Sequence, residues 1–191
     1  REAFGGLHKK HGVDPDMAIF GKAMGNGYAI SAVIGRREIM EASQSTFISS
    51  TFWTERIGPS AALKTLEVME REQSWKQITK TGLKIREYWQ KLADRHKIKI
   101  SHWGLPSLSG FTIQSEHAMI YKTLITQEML AKGYLAANSI YVCTDHTQKV
   151  LDGYFAALDD TFKLIRECEE GRNPLLLLQS PVCHSGFKRL N

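Results

Sequence analysis

Lys22 stands where an amine could do chemistry. It follows the short apolar run Met17-Ala18-Ile19-Phe20 and Gly21, with Gly25 and Gly27 just beyond. The run lies behind the turn signal Asp14-Pro15-Asp16 and reads as a buried strand. A second apolar run, 29–34, closes on Gly35. The pattern places one amine on a tight, glycine-rich turn at the end of a buried strand. Partial desolvation there would disfavour the ammonium, lower its pKa and free a lone pair for attack on a carbonyl. The glycines would let the backbone come close to a flat or phosphorylated ligand. Two phosphate-binding motifs are excluded by spacing. A P-loop ending at Gly21-Lys22 needs glycine at Asp16 and a hydroxyl at Ala23, and a dinucleotide fingerprint from Gly25 needs glycine at Ile30. From spacing alone, a plain surface lysine leaving a strand is as good a reading as a reactive one.

The elements that would position this lysine follow in order. Residues 38–42 suggest a short helical turn, and the hydroxyl-rich stretch 43–54 a loop suited to anions or to capping the next helix. Pro59 fits the first turn of a helix through Ala61, Ala62, Leu63, Leu66 and Met69. Ser74-Trp75-Lys76-Gln77 has the form of a capping box. Trp75, Ile78, Gly82, Ile85, Trp89 and Leu92 then form one apolar stripe on a long helix, with Gly82 marking a close approach by another element. Strands are expected at 98–101 and 108–113 around a turn at 104–106, and short ones at 134–136 and 140–143. Helices are expected over 118–132, closed by Gly133, and over 147–169, opened by Thr147 as N-cap. Residues 172–191 read as a loop-rich tail without an assignable role.

The segment 16–27 resembles the pyridoxal-phosphate attachment motif of the class III aminotransferases. Asp16, Met17, Ala18, Gly21, Lys22, Asn26 and Gly27 fill every specified position. Within that family the chain is most similar to the glutamate-1-semialdehyde aminomutase-like branch, which also shows the equivalents of Gly35-Arg36-Arg37-Glu38-Ile39-Met40 and Lys64-Thr65-Leu66-Glu67. The likeness runs from Arg1 to about Arg166 and is strongest up to Val68. It implies an α/β protein of the fold-type I pyridoxal-phosphate transferases: the end of the large-domain sheet plus the small C-terminal domain. The expected divisions are 1–72, 73–170 and a 171–191 tail. The beginning, Arg1-Glu2-Ala3-Phe4-Gly5-Gly6, resembles the end of a longer family segment, so the chain is expected to be the C-terminal part of a larger enzyme.

The resemblance also implies a cofactor, pyridoxal 5'-phosphate, held by Lys22 as an imine. Lys22 is then the catalytic base as well as the cofactor-binding residue. The threonine at the position of Thr51 reaches the phosphate of the neighbouring subunit in family members, which implies a homodimer with shared active sites. Family members commonly continue with a Gly-Asn-Pro-type segment where this chain has Thr54-Glu55-Arg56. The implied partners are a small-molecule amino donor and a keto or aldehyde acceptor. An aminomutase is the alternative, but its relatives carry an acid in the segment matching 138–143, and none of those six residues is acidic here. A non-catalytic interaction fragment is the competing class.

Composition sets the outer bounds. The chain has 191 residues, 42% hydrophobic and 24% charged, enough for a sizeable core in one or two domains. Its net charge of +5 is scattered rather than gathered into a basic patch, which gives no support to nucleic-acid binding. Cys143, Cys168 and Cys183 are odd in number and lack CxxC spacing, as free thiols of a reducing compartment would be. His8 and His11 have no second ligand pair at zinc spacing, so no metal is expected. The apolar run 175–178 is far too short to cross a bilayer, and a cytoplasmic location is the expectation.

Overall fold

The computed structural model describes residues 1–49 and 51–186; Ser50, within the hydroxyl-rich loop, and 187–191 of the tail lie outside the described residues. The chain forms two compact units, Arg1–Gln77 and Ile78–Asn191.

The first unit opens with a single helical turn, α1 (Leu7–Lys10), followed by strand β1 (Met17–Phe20), a 3-10 turn (Lys22–Met24) and strand β2 (Ala32–Gly35). The two strands pair antiparallel, with Met17 opposite Gly35 and Phe20 opposite Ala32. Arg36 latches the open end of this ribbon. Its N–H donates to the Asp16 carbonyl at 3.0 Å, and its guanidinium lies 2.7 Å from the Asp14 carboxylate and 3.2 Å from that of Asp16. The attachment-motif aspartate is therefore engaged in holding the strands together. The expected burial of β1 is not found: Met17 and Ile19 are exposed, Ile19 by 76%. A ribbon of two strands has no third strand beside it and, on that face, no layer of this unit over it. The second strand also starts later than its apolar run, because residues 29–31 belong to the connection.

Helix α2 (Arg37–Met40) and a 3-10 segment (Glu41–Ser45) lead through a loop to α3 (Ile57–Glu72), with Pro59 in its first turn as anticipated. The Glu55 carboxylate accepts from the N–H groups of Ile57 and, at 3.3 Å, Gly58, so an acidic side chain caps the helix start. Gln73, in the left-handed region (φ 49°), is the sole residue between α3 and α4 (Ser74–Arg95). The capping box expected at Ser74 is replaced by another bond. The Gln77 side-chain amide donates to the Glu72 carbonyl at 2.7 Å and closes the end of α3. With so short a connection, the terminal carbonyls of the preceding helix are the nearest groups needing a partner.

In the second unit the predicted stripe of α4 is buried at Ile78, Gly82, Ile85, Trp89 and Leu92. It packs with an antiparallel sheet in the order β3 (Ile100–Leu105), β4 (Leu108–Ile113) and β5 (Ser139–Tyr141), and with α5 (Ala118–Ala131) and α6 (Gln148–Glu169). Phe111, Leu124, Met129, Leu158 and Phe162 complete a core without solvent access. The Trp89 indole N–H finds the Tyr154 hydroxyl at 3.0 Å, which satisfies a polar group inside that core. A Cβ on Gly82 would lie 1.8 Å from the Pro106 carbonyl oxygen, which is the close approach the sequence pointed to. The β3–β4 turn itself falls at residues 106 and 107, two residues later than expected at its start.

Residues 134–136 form no strand: the Tyr134 N–H goes to the Met129 carbonyl at the end of α5, and the third ladder is formed by 139–141 against β4. Thr147 caps α6 through Oγ1 to the Val150 N–H at 3.4 Å. The described part of the tail holds one 3-10 turn (Pro174–Leu177) and is tied to α5. Gln127 donates to the Leu177 carbonyl at 2.9 Å and accepts from the Gln179 N–H at 2.7 Å, and Thr123 Oγ1 accepts from the Cys183 N–H at 2.9 Å. Cys143 is exposed, Cys168 buried and Cys183 half-buried, all as free thiols. Among the described residues no helix is long and apolar enough to cross a membrane, and no group of three or more His, Cys, Asp or Glu could hold a metal ion.

Candidate active site

Lys22 owes its position to an abrupt change of backbone direction. Gly21 continues the extended course of β1 (φ −168°), and Lys22 then turns into the left-handed region at φ 49°. For a residue with a Cβ this conformation costs about 1–3 kcal/mol and persists only where surrounding bonds enforce it. Here they do. The Lys22 carbonyl accepts from the N–H groups of Gly25 and Asn26, both at 3.1 Å, and the Gly21 carbonyl accepts from the Met24 N–H at 3.1 Å. Asn26, also left-handed at φ 47°, completes the turn before the chain returns toward β2. The lysine backbone is thus firmly held while its side chain is exposed. The desolvation expected of this amine is not supplied by the described residues, which leave Lys22 exposed.

Thr51 lies in the loop before α3 and is exposed. A tight turn follows, in which the Glu55 N–H donates to the Phe52 carbonyl at 2.8 Å and Trp53 is left-handed at φ 41°. Phe47, Phe52 and Trp53 of this loop are all exposed, Phe47 by 94%. Lys22 and Thr51 both belong to the first unit, and no hydrogen bond joins them among the described residues. What links their elements is a close approach: the first turn of α3 at Gly58 lies against the Ala29 backbone and Ile30, in the connection that follows the Lys22 turn.

Two contributors escaped the sequence reading. Arg36 was visible only as part of a motif, yet it bridges Asp14 and Asp16 and fixes the ribbon that carries Lys22. Glu55 departs from the family pattern, and its position just ahead of Ile57 and Pro59 was the signal that it caps α3.

The model of the family "Aminotransferase class-III" matches residues 2–141. The chain belongs to this family, whose cofactor is pyridoxal 5'-phosphate. Among curated relatives, the 3-aminobutyryl-CoA aminotransferase of Cloacimonas acidaminovorans (strain Evry) is 36% identical over 128 residues, covering 66% of this chain and 31% of the relative. The glutamate-1-semialdehyde 2,1-aminomutase of Methanocaldococcus jannaschii is 27% identical over 180 residues, covering 85% of this chain and 42% of the relative. The chain thus spans less than half the length of either. Among solved structures, the internal aldimine form of the FumI protein of Sphingopyxis sp. MTA144 superposes with a TM-score of 0.78 at 19% identity, over 90% of this chain and 42% of that one. The fold is accordingly that of the fold-type I pyridoxal-phosphate transaminases.

The residues present suit that cofactor. A primary amine matches its aldehyde, and neither the Lys22 ammonium nor the Thr51 hydroxyl is committed to a hydrogen-bond partner among the described residues. Both are free to meet a ligand.

Proposed function

We propose that the protein is a pyridoxal-phosphate-dependent aminotransferase that moves an amino group from a small amino donor to a keto or aldehyde acceptor. The observation that carries this reading is Lys22: an exposed amine on a strained, hydrogen-bonded turn, inside a complete attachment motif. When bound, the cofactor withdraws electrons from the donor's α-carbon and so makes its C–H bond acidic. The Lys22 amine holds the cofactor through its aldehyde. Once freed by an incoming amino donor, Lys22 Nζ would be the group placed to take up the donor's α-proton and to hand it on. The left-handed turn serves this by fixing the root of a flexible side chain whose tip must swing between two atoms.

The Thr51 hydroxyl is assigned to the cofactor phosphate of a neighbouring subunit in a homodimer. Its exposure on a loop bearing Phe47, Phe52 and Trp53 supports that reading, because such a loop offers apolar surface to another chain. Residues 1–72 would be the end of the cofactor-binding large domain, 73–170 the small domain and 171–191 an appended tail, in a cytoplasmic enzyme. An aminomutase is the second reading, favoured by the match to the Methanocaldococcus relative over 85% of this chain. The lack of an acid anywhere in 138–143 weighs against it.

The test is reduction with borohydride after adding pyridoxal phosphate, followed by peptide mapping. A cofactor-bearing peptide containing Lys22 is expected. Absence of that label, with the protein folded, would overturn the assignment and leave an interaction module as the better account.

A further inference from the structure

The turn that carries Lys22 and the helix that follows Thr51 meet at two buried glycines on either side of one isoleucine. On one side is Gly25, the residue whose N–H closes the turn onto the Lys22 carbonyl at 3.1 Å. A Cβ there would fall 2.2 Å from the Tyr28 carbonyl oxygen and 2.9 Å from Ile30 Cγ2. On the other side is Gly58, in the first turn of α3. A Cβ there would fall 2.8 Å from the Ala29 carbonyl oxygen and 3.2 Å from Ile30 Cβ. Neither glycine has a positive φ, so close approach rather than backbone conformation is what requires it. Ile30 is therefore a wedge gripped from both sides. The Gly58 N–H is in turn drawn toward the Glu55 carboxylate at 3.3 Å, which sets the height of the first turn of α3 against the wedge.

We propose that Gly58 is a positioning residue for Lys22: by letting α3 seat on Ala29 and Ile30, it presses Ile30 against Gly25 and holds the Lys22 turn in its left-handed form. This rests on the reading of Lys22 as the cofactor-bearing amine, but the geometry concerns the chain alone. The bond closing the turn, from the Gly25 N–H to the Lys22 carbonyl, has no side chain of its own to reinforce it. The Asn26 N–H on the same carbonyl and the Tyr28 N–H on the Gly25 carbonyl brace it, and Ile30 Cγ2 backs it as the side-chain atom nearest the position a Gly25 Cβ would take. A methyl added at Gly58 meets a backbone oxygen, which cannot rotate away, so α3 or the 29–30 connection must move.

The experiment compares the parent protein with Gly58→Ala and with Ile30→Ala, the second removing the wedge without crowding anything. Hydrogen exchange at the Gly25 and Asn26 amides is read first, without cofactor. Both variants should speed exchange there about tenfold, the scale of overpacking or of a lost buried contact. Amides of α4 and α6 should keep their protection. Lys22 is then labelled with pyridoxal phosphate and borohydride, and the visible circular dichroism of the unreduced adduct is recorded. The variants should label more slowly, with a weaker dichroic band. Unchanged exchange at Gly25 and Asn26 in Gly58→Ala and Ile30→Ala would overturn the proposal. If exchange quickens but the parent never labels at Lys22, the positioning stands and the aminotransferase reading falls. Where Gly58→Ala fails to fold, Ile30→Ala decides alone.

Discussion

In the second unit the apolar stripe of α4 disappears into the protein, with Ile85 and Trp89 fully buried, whereas in the first unit Ile19 and Phe47 stand 76% and 94% exposed. The two units carry large apolar side chains in similar proportion to their lengths and use them differently. In the second, one helix face, a three-stranded sheet and two further helices close around a shared interior, and the Trp89 indole caught inside finds a partner in Tyr154. In the first, a two-stranded ribbon and a loop display Met17, Ile19, Val33, Ile34, Phe52 and Trp53. The difference separates two jobs. Stability is concentrated where the layers close. The residues assigned to chemistry sit where the apolar surface is open and the backbone is bent, at Lys22 and in the Thr51 loop.

The sharpest way to break this division is to remove the amine itself. Lys22→Ala should lower turnover by about a thousandfold or more, since both cofactor attachment and proton transfer pass through one nitrogen. It should leave thermal unfolding within about 0.5 kcal/mol of the parent, because the side chain is exposed. Residual turnover within about tenfold of the parent would remove Lys22 from its role.

A pair of substitutions tests the stability half. Trp89→Ala should destabilise by about 3–5 kcal/mol, through lost burial, a cavity and an orphaned Tyr154 hydroxyl. Ile19→Ala, at an exposed ribbon position, should cost no more than about 0.5 kcal/mol. Denaturant unfolding of both, read on the same day and buffer, decides it. Similar losses would mean that the ribbon's outer face is covered in the working protein and that the contrast belongs to the chain in isolation.

Thr51→Ala comes next in size. A hydrogen bond to a charged phosphate contributes roughly 1.5–3 kcal/mol, so the cofactor's dissociation constant should rise on the order of ten- to a hundredfold. The rate of proton transfer in the loaded protein should change little. Equilibrium titration followed by absorbance gives the first quantity and single-turnover kinetics the second. Unaltered affinity would take Thr51 out of the phosphate site.

What could be read from sequence divides along the same line. The stripe from Ile78 to Leu92, the close approach at Gly82 and the Thr147 cap were all legible, because a closed core writes its periodicity into consecutive residues. The attachment motif likewise placed Lys22 at the end of β1. Burial of β1 was misread because an apolar run states a preference for cover without stating whether cover is present. The Ser74 capping box failed because the same residues could serve either of two adjoining helix ends. The strand expected at 134–136 is absent, its Tyr134 N–H going to the Met129 carbonyl at the end of α5, while the one expected at 140–143 pairs with β4 at 139–141; such pairing is long-range and local propensity does not encode it. The Arg36 latch joins residues far apart in sequence, which only three-dimensional placement brings together, whereas the Glu55 cap is local and its signal lay in the residues just ahead of Ile57 and Pro59.

The smallest effect expected concerns pH, and it tests whether the closed unit is as self-sufficient as its core suggests. His102, on β3, lies with its ring near that of Trp89, centroids 6.3 Å apart and 15° between planes. Its Nδ1 is buried without a hydrogen-bond partner among the described residues. Burial, and secondarily the positive charge of Arg86, holds its pKa below the usual 6.5. The folded state therefore resists a proton that the unfolded chain accepts, so the unfolded state binds more protons in the interval between the two values. The stabilising contribution is complete above 6.5 and declines as the pH falls from there to the folded value. Melting curves at about pH 7.5 and 5.5 should show the parent losing more stability on acidification than His102→Phe, which keeps the ring but cannot titrate. His102→Phe should also melt no lower than the parent at the acidic point. Parallel losses in the two proteins would show that water or another partner reaches Nδ1 and that the second unit's interior is more open than its buried residues imply.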